Sequence, residues 1–124
     1  MSAPIAFLED DEDLRMITQK LIKRKFNLDC LCLAGYDEFI LRDIEVLDTK
    51  IVFLDINLGD GRPSGIDAYE WLKGHDYRGK IFFLTGHARY HPLVVQTAKI
   101  GIRVLEKPID ATELNAIIKE AGVT

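Results

Sequence analysis

A run of four apolar residues, Ile51 to Leu54, ends in a carboxylate at Asp55 and leads into a loop that contains Gly59 and Gly61. A short run with β-branched and aromatic members is typical of a strand that is buried on both faces of a parallel sheet. The carboxylate would then lie at the carboxyl edge of the sheet, where ligands bind in open α/β folds. An aspartate that only ends a strand is the alternative, and Asp55 alone does not decide between them.

Four further apolar runs follow along the chain, and three of them also end in polar residues. The predicted strands are Ile5–Leu8, Leu28–Leu33, Ile51–Leu54, Lys80–Leu84 and Arg103–Glu106. Segments with helical periodicity alternate with these strands, and the connections are too short for anything but βα units. The sequence therefore predicts one domain over residues 1–124, of the α/β class. It would have a five-stranded parallel sheet, doubly wound, in the flavodoxin-like (βα)5 arrangement with strand order 2-1-3-4-5.

The predicted helices have apolar positions on one side and recognisable ends. These positions are Leu14, Ile17, Leu21 and Ile22; Phe39, Ile40, Leu41 and Ile44; Ile66, Tyr69 and Leu72; Val94, Val95 and Ala98; and Leu114, Ile117, Ile118 and Ala121. Asp37 is predicted to cap the second helix, and Gly74 to end the third. Pro92 fits the first turn of the fourth helix, and Asp110 with Glu113 forms a capping pattern for the fifth.

The composition excludes several classes of protein. With 48% hydrophobic and 29% charged residues the chain has the make-up of an ordinary globular protein. A net charge of −4 argues against nucleic acid as a direct partner. No apolar run is long enough to span a membrane and no leader opens the chain, so we expect a cytoplasmic protein without a membrane partner. Cys30 and Cys32 are expected to be buried thiols, since two positions apart on a strand suit a disulfide poorly.

Polar residues follow four of the predicted strands where each one ends. They are Glu9 and Asp10, Asp55, Thr85, and Lys107. Three adjacent carboxylates repel one another unless a cation lies among them, and Mg²⁺ is the natural candidate because it prefers oxygen ligands and bridges to phosphate. Lys107 and Thr85 could then contact phosphoryl oxygens, and Asp55 could attack phosphorus. Each residue could also have a purely structural role; the acidic run, for example, could cap the first helix. Because all five residues are predicted at one edge of the sheet, a binding site for metal and phosphate is favoured.

The order of these residues resembles the response regulator receiver domain (CheY-like) over the whole chain. The motifs are Glu9-Asp10 followed by Arg15, Leu54-Asp55-Ile56-Asn57-Leu58, Leu84-Thr85-Gly86 and Glu106-Lys107-Pro108. The resemblance implies that Asp55 accepts a phosphoryl group from a histidine kinase or a phosphotransfer protein and that the domain then acts on a downstream protein.

The same resemblance implies a role for each residue of the site. Asp10, Asp55 and the backbone carbonyl of Asn57 would bind Mg²⁺ directly, and Glu9 would act mainly through water. Lys107 would contact the phosphoryl group, and the bond to Pro108 is expected to be cis. The hydroxyl of Thr85 would swing toward the phosphoryl group. His87 would lie on the path of the attacking water and could modulate the rate of phosphate loss.

The chain departs from the family pattern at two places. Gly59 stands where receivers usually carry a proline, and Gly65 falls two residues later than the usual glycine, so the loop beside the site is longer. Val104 occupies the usual aromatic switch position. We therefore expect the signal to leave through the loop at 86–92 and the helix at 92–100, together with the last strand and the last helix.

Two other functions compete with a phosphorylation switch. A haloacid-dehalogenase-like phosphatase also uses an aspartyl phosphate, but it places a second aspartate where this chain has Asn57, and it needs room for a cap. A receiver-like interaction module that is not phosphorylated is the other alternative, although the complete set of acidic, threonine and lysine residues argues against it. We predict a regulator rather than an enzyme, with catalysis limited to its own phosphorylation and dephosphorylation.

Overall fold

The structure is a computed structural model that describes residues 3–56, 65–86, 95, 97, 99–107 and 109–123. Its strands are β1 (Ile5–Leu8), β2 (Cys30–Leu33), β3 (Ile51–Asp55), β4 (Lys80–Thr85) and β5 (Val104–Glu106). All four pairings are parallel, and the order in the sheet is β2-β1-β3-β4-β5. The predicted sheet and its topology are confirmed.

Five helices are described: α1 (Glu12–Phe26), α2 (Tyr36–Leu41), α3 (Asp43–Leu47), α4 (Gly65–Gly74) and α5 (Ala111–Glu120). The helix predicted from Pro92 falls mainly outside the described residues. Among the helices of the described part of the chain, none has the length and apolar character needed to cross a bilayer.

The sheet is covered on both faces, as the apolar runs predict. Every residue of β1 and β3 is buried. Successive residues of β1 point to opposite faces, so Ile5 and Phe7 pack in one apolar cluster and Ala6 and Leu8 in another. Ile22 of α1 and Ile117 of α5 belong to the first cluster, whereas α2, α3 and α4 contribute to the second. This arrangement is the doubly wound fold.

The α2 region differs from its prediction. Gly35, not Asp37, is the N-cap residue of α2, and no side chain caps this end. At Arg42 the backbone leaves the helical conformation (φ −104°, ψ 38°) before α3 begins. Leu41 and Ile44, predicted as apolar positions of one helix, are 82% and 81% exposed; Leu41 lies before the break, two residues from the buried Phe39, and after the break Val46 is the buried residue of α3.

The ends of the other helices follow their prediction more closely. Asp110 caps α5 by accepting a hydrogen bond from the backbone N–H of Thr112 at 2.8 Å, but the carboxylate of Glu113 pairs with Arg103 at 2.7 Å. On α1 the predicted core residue Ile17 is 62% exposed, while Ile22 is fully buried. Gly74 is the last residue of α4, as predicted.

The two cysteines of β2 are free thiols whose Sγ atoms lie 3.8 Å apart. Cys30 is buried, as expected, whereas Cys32 is only half-buried and its thiol faces the carbonyl oxygen of Arg15 at 3.7 Å.

Trp71 lies on α4, which packs on β3. Its ring stacks on that of His75 with centroids 4.2 Å apart and meets Phe39 edge-on at 5.6 Å. These contacts join α4 to α2.

Candidate functional site

Strand register brings the predicted polar residues to one edge of the sheet. Leu8 is level with Leu54 across β1 and β3, so Glu9 and Asp55 follow at the same height. Thr85 is level with Glu106 across β4 and β5, and the backbone N–H of Lys107 donates to the carbonyl of Thr85 at 2.9 Å. The carboxyl ends of four strands therefore place Glu9, Asp55, Thr85 and Lys107 together, as predicted.

The ammonium group of Lys107 lies between two buried carboxylates. Its Nζ donates to Oε1 of Glu9 and to Oδ2 of Asp55, both at 2.8 Å. The exposed fraction is 1% for Glu9 and 2% for Asp55, whereas the side chain of Lys107 is 21% exposed. Charged groups with so little access to water need a partner, and each carboxylate has one in this lysine.

Asp10 completes a cluster of three carboxylates. One ligand oxygen from each of Glu9, Asp10 and Asp55 lies within 4.8 Å of the others, and Asp10 is exposed at the mouth of the site. The pKa of Asp10 is raised, first by burial of its carboxyl and then by the hydrogen bond and negative charge of Glu9. The pKa of Lys107 is affected first by burial, which lowers it, but its hydrogen bonds to Asp55 and Glu9 outweigh this and raise the pKa overall.

The acidic residues after β1 have different structural roles. Asp11 caps α1 by accepting a hydrogen bond from the backbone N–H of Leu14 at 3.1 Å. Glu9 and Asp10 instead belong to the carboxylate cluster. The alternative prediction, that the acidic residues cap the first helix, is therefore correct for Asp11.

Two supports of the site were not anticipated in the sequence. Arg15 donates from its guanidinium to the backbone carbonyl of Glu9 at 2.8 Å, which fixes the start of the acidic run against α1. A Cβ atom on Gly65 would collide with the backbone carbonyl of Asp55, so α4 can approach β3 here only because this residue is glycine. The late position of Gly65 in the loop was the available signal for this contact.

Some predicted members of the site lie outside the described residues. These are Asn57, His87 and Pro108, and the lengthened loop at 59–64 belongs with them. Thr85 is described and is 3% exposed at the end of β4. Val104, at the position where receivers usually carry an aromatic switch residue, is half-buried in β5.

A model of the response regulator receiver domain family matches residues 5–119 of the chain. The chain belongs to this family. A receiver domain is a regulatory module, and membership implies phosphoacceptor signalling in a two-component system, with a phosphodonor kinase and a downstream effector as its partners. A comparison with curated protein sequences finds no match.

Solved structures support the fold. A response regulator receiver protein from Pseudoalteromonas atlantica is 20% identical, with a TM-score of 0.78 over 97% of this chain and 98% of that one. A receiver domain protein from Clostridium thermocellum is 21% identical, with a TM-score of 0.75 over 96% and 93% of the two chains. A CheY-like receiver domain protein from Methanospirillum hungatei is 24% identical, with a TM-score of 0.71 over 97% and 93%.

Proposed function

We propose that Asp55 is the phosphoacceptor of this receiver domain and that a histidine kinase or a phosphotransfer protein supplies the phosphoryl group. The observation that carries the proposal is the contact of Lys107 with Asp55 at 2.8 Å on a buried sheet edge. Of the three clustered carboxylates, Asp55 is the one on the central strand β3. An oxygen of Asp55 that attacks phosphorus would form an acyl phosphate and release the histidine of the donor.

Lys107 suits the next step of this chemistry. Phosphoryl transfer depends mostly on positioning and on neutralising charge that spreads over the phosphoryl oxygens. The ammonium is already at hydrogen-bond distance from Asp55, so it needs only a small displacement to reach an oxygen on the phosphorylated side chain. Thr85 ends the adjacent strand β4 and would offer a hydroxyl to a second phosphoryl oxygen.

The donor set fits Mg²⁺. Three carboxylates and one ammonium give the cluster a formal charge of −2, and all the candidate ligands are hard oxygen atoms. Asp10 and Asp55, with the carbonyl of Asn57, would hold the ion, and Glu9 would act through water because both of its oxygens are engaged, Oε1 by Lys107 and Oε2 by the backbone N–H of Asp11 at 3.2 Å. A bound Mg²⁺ would neutralise charge on the phosphoryl oxygens.

The test is incubation with a small acyl phosphate as donor, followed by intact-mass measurement. We expect one added phosphoryl group in the presence of Mg²⁺, and none after chelation or in Asp55→Asn. Asp11→Asn is the matched control, since it removes a neighbouring charge but keeps a side chain that caps α1. This control should be labelled like the wild type.

Three results would contradict the proposal. Labelling that survives Asp55→Asn would place the acceptor elsewhere. A folded wild type that is never labelled, by small donors or by a histidine phosphotransfer protein, would favour an interaction module that works without phosphorylation. Multiple turnover of phosphate esters would instead indicate a phosphatase.

A further inference from the structure

The two thiols of β2 lie side by side at the edge of the sheet. Cys30 and Cys32 are two positions apart on the strand, so both side chains point to the same face, and their Sγ atoms are 3.8 Å apart. Both are free thiols, and they are the only cysteines in the chain. An approach of about 1.8 Å would bring the two sulfur atoms to the length of an S–S bond.

The two thiols differ in their access to solvent and in their charge state. Cys30 is 5% exposed, whereas Cys32 is only partly buried and faces the carbonyl oxygen of Arg15. The pKa of the Cys32 thiol is lowered, first by its hydrogen bond with Cys30; burial opposes this, and the positive charge of Arg15 adds to it. The pKa of the Cys30 thiol is raised well above its ordinary value, first by the hydrogen bond with Cys32 and then by burial. The thiolate, which is the reactive form of cysteine, is therefore favoured at the more accessible of the two sulfur atoms.

The spacing of the two cysteines suits a reversible bond better than a permanent one. A strand rises about 3.3 Å per residue, so the two Cα atoms are about 6.6 Å apart, near the upper end of the range that disulfides span. A disulfide here would form under strain, and strained disulfides are readily reduced. In the described sheet β2 is an edge strand that pairs with β1 alone, so it can bend at the cost of few hydrogen bonds.

We propose that Cys32 and Cys30 form a reversible oxidation site that reacts with hydroperoxides such as hydrogen peroxide. The sulfur of Cys32 attacks one oxygen of the peroxide, the O–O bond breaks, and the departing hydroxide takes up a proton to become water. The sulfur of Cys30 then attacks the sulfenic acid on Cys32. The S–O bond breaks, and the hydroxyl leaves as water with the proton of Cys30.

The reaction is balanced by the peroxide alone. The two thiols together lose two electrons and two protons, and hydrogen peroxide is reduced to two molecules of water. The site differs from the carboxylate cluster in its residues and its chemistry, and it requires neither Asp55 nor a metal ion. A cellular thiol such as glutathione would restore the reduced form by thiol–disulfide exchange.

Thiol counting after peroxide treatment tests the site. The reduced full chain is treated with hydrogen peroxide, unfolded, alkylated with N-ethylmaleimide and analysed by intact-mass spectrometry. We expect the wild type to lose both alkylatable thiols while it stays a monomer, and to recover both after incubation with millimolar glutathione. Alkylation is counted rather than added oxygen because the chain also has two methionines that peroxide can oxidise.

Two single variants separate the roles of the thiols. In Cys30→Ala the reaction should stop at the sulfenic acid, which dimedone traps, whereas the wild type should give little dimedone adduct. In Cys32→Ala the remaining thiol is buried and should be oxidised about tenfold more slowly than the wild type, or less. Melting curves check that both variants fold, and the wild-type result stands without them.

The proposal is overturned if the wild type keeps both alkylatable thiols at a peroxide dose that oxidises free N-acetylcysteine. It is also overturned if the wild type and Cys30→Ala accumulate the same amount of dimedone adduct, or if Cys32→Ala is oxidised as fast as the wild type. Disulfide-linked dimers as the main product would likewise show that the two thiols of one chain do not bond to each other.

Discussion

The ammonium of Lys107 and the carboxylate of Asp55 are 2.8 Å apart although their strands are not neighbours in the sheet. Lys107 follows β5, Asp55 ends β3, and β4 lies between them. The side chain of Lys107 therefore reaches across the end of β4, and with its contact to Glu9 it joins the ends of β1, β3 and β5. Any group that draws Lys107 away from Asp55 must alter this link between three strands.

Replacement of Lys107 by methionine should destabilise the fold. The change keeps much of the apolar stem but removes the ammonium that lies between the buried carboxylates of Glu9 and Asp55, and we expect a loss of about 2 kcal/mol in the free energy of unfolding. Urea unfolding at neutral pH measures this loss. Lys119→Met, on the exposed side of α5, should change stability by less than about 0.5 kcal/mol. Equal stabilities of the two variants would show that the ion pairs of Lys107 contribute nothing.

Asp10→Asn should stabilise the protein in the absence of metal. The pKa of Asp10 is raised first by burial of its carboxyl and then by the hydrogen bond and negative charge of Glu9, so its ionised form is disfavoured, and the neutral amide removes that charge. The gain should stay below about 1 kcal/mol because the residue is exposed. Added Mg²⁺ should raise the melting temperature of the wild type, and most of this response should disappear in Asp10→Asn. A destabilised variant that still responds to Mg²⁺ like the wild type would refute the assigned cluster.

Gly65→Ala should damage both stability and phosphorylation. The new methyl group would collide with the carbonyl of Asp55, so α4 or the end of β3 must shift, at a cost of about 1–3 kcal/mol. The displaced Asp55 should be labelled more slowly by a small phosphodonor. Gly74→Ala is the matched control, because a Cβ there meets nothing within 4 Å. If both alanine variants behave like the wild type, the close approach at Gly65 is not needed for the site.

Tyr77 should make the protein sensitive to alkaline pH. Burial raises the pKa of its hydroxyl to about 12, although the hydrogen bond with Thr49 opposes this. Because the unfolded tyrosine ionises near its ordinary value of 10.0, the stability contributed by the neutral hydroxyl is present below pH 10 and is lost between pH 10 and about 12. In urea unfolding, the advantage of wild type over Tyr77→Phe should shrink across this range. The other tyrosines are common to both proteins, so parallel curves would contradict the assignment.

Val104→Ala tests the route by which the signal leaves the site. Valine is stiff at χ1 and small, so it is unsuited to an aromatic-type exchange between two positions. The variant should lose about 1 kcal/mol of packing energy. When a phosphoryl mimic binds, hydrogen exchange should change most across residues 86–100 and little in α1. Most of the range 86–100 lies outside the described residues. The variant and the wild type should show the same pattern. A response that vanishes in Val104→Ala, or that concentrates in α1, would contradict this route.

The sheet was predictable because each strand is a separate apolar run, and four of the five runs have a polar end. Parallel pairing then leaves only a few topologies, and the residues after the strands must meet at one edge. Glu9, Asp55, Thr85 and Lys107 could be placed together for this reason. The direct bond between Lys107 and Glu9 was not predicted, since strand order fixes which ends are close but does not fix which oxygen a flexible lysine chooses.

The α2 region shows where a periodic pattern fails. Phe39, Ile40, Leu41 and Ile44 suit a continuous helix, but the helix breaks at Arg42, and after the break Val46 is buried while Ile44 is exposed. A local change of two backbone angles leaves no trace in hydrophobic spacing. Capping was also ambiguous, because both Gly35 and Asp37 are residues found near helix starts and only the backbone decides between them.

The stacked pair of Trp71 and His75 determines what fluorescence can report on this protein. Trp71 is the only tryptophan in the chain, and within the described residues its ring contacts are with His75, directly after α4, and Phe39 of α2. Its emission should therefore follow the docking of α4 on α2. The carboxylates of Glu9, Asp10 and Asp55 are not among these ring partners, so an emission-based unfolding curve gives an optical signal whose source is separate from the carboxylates proposed to bind metal and accept the phosphoryl group.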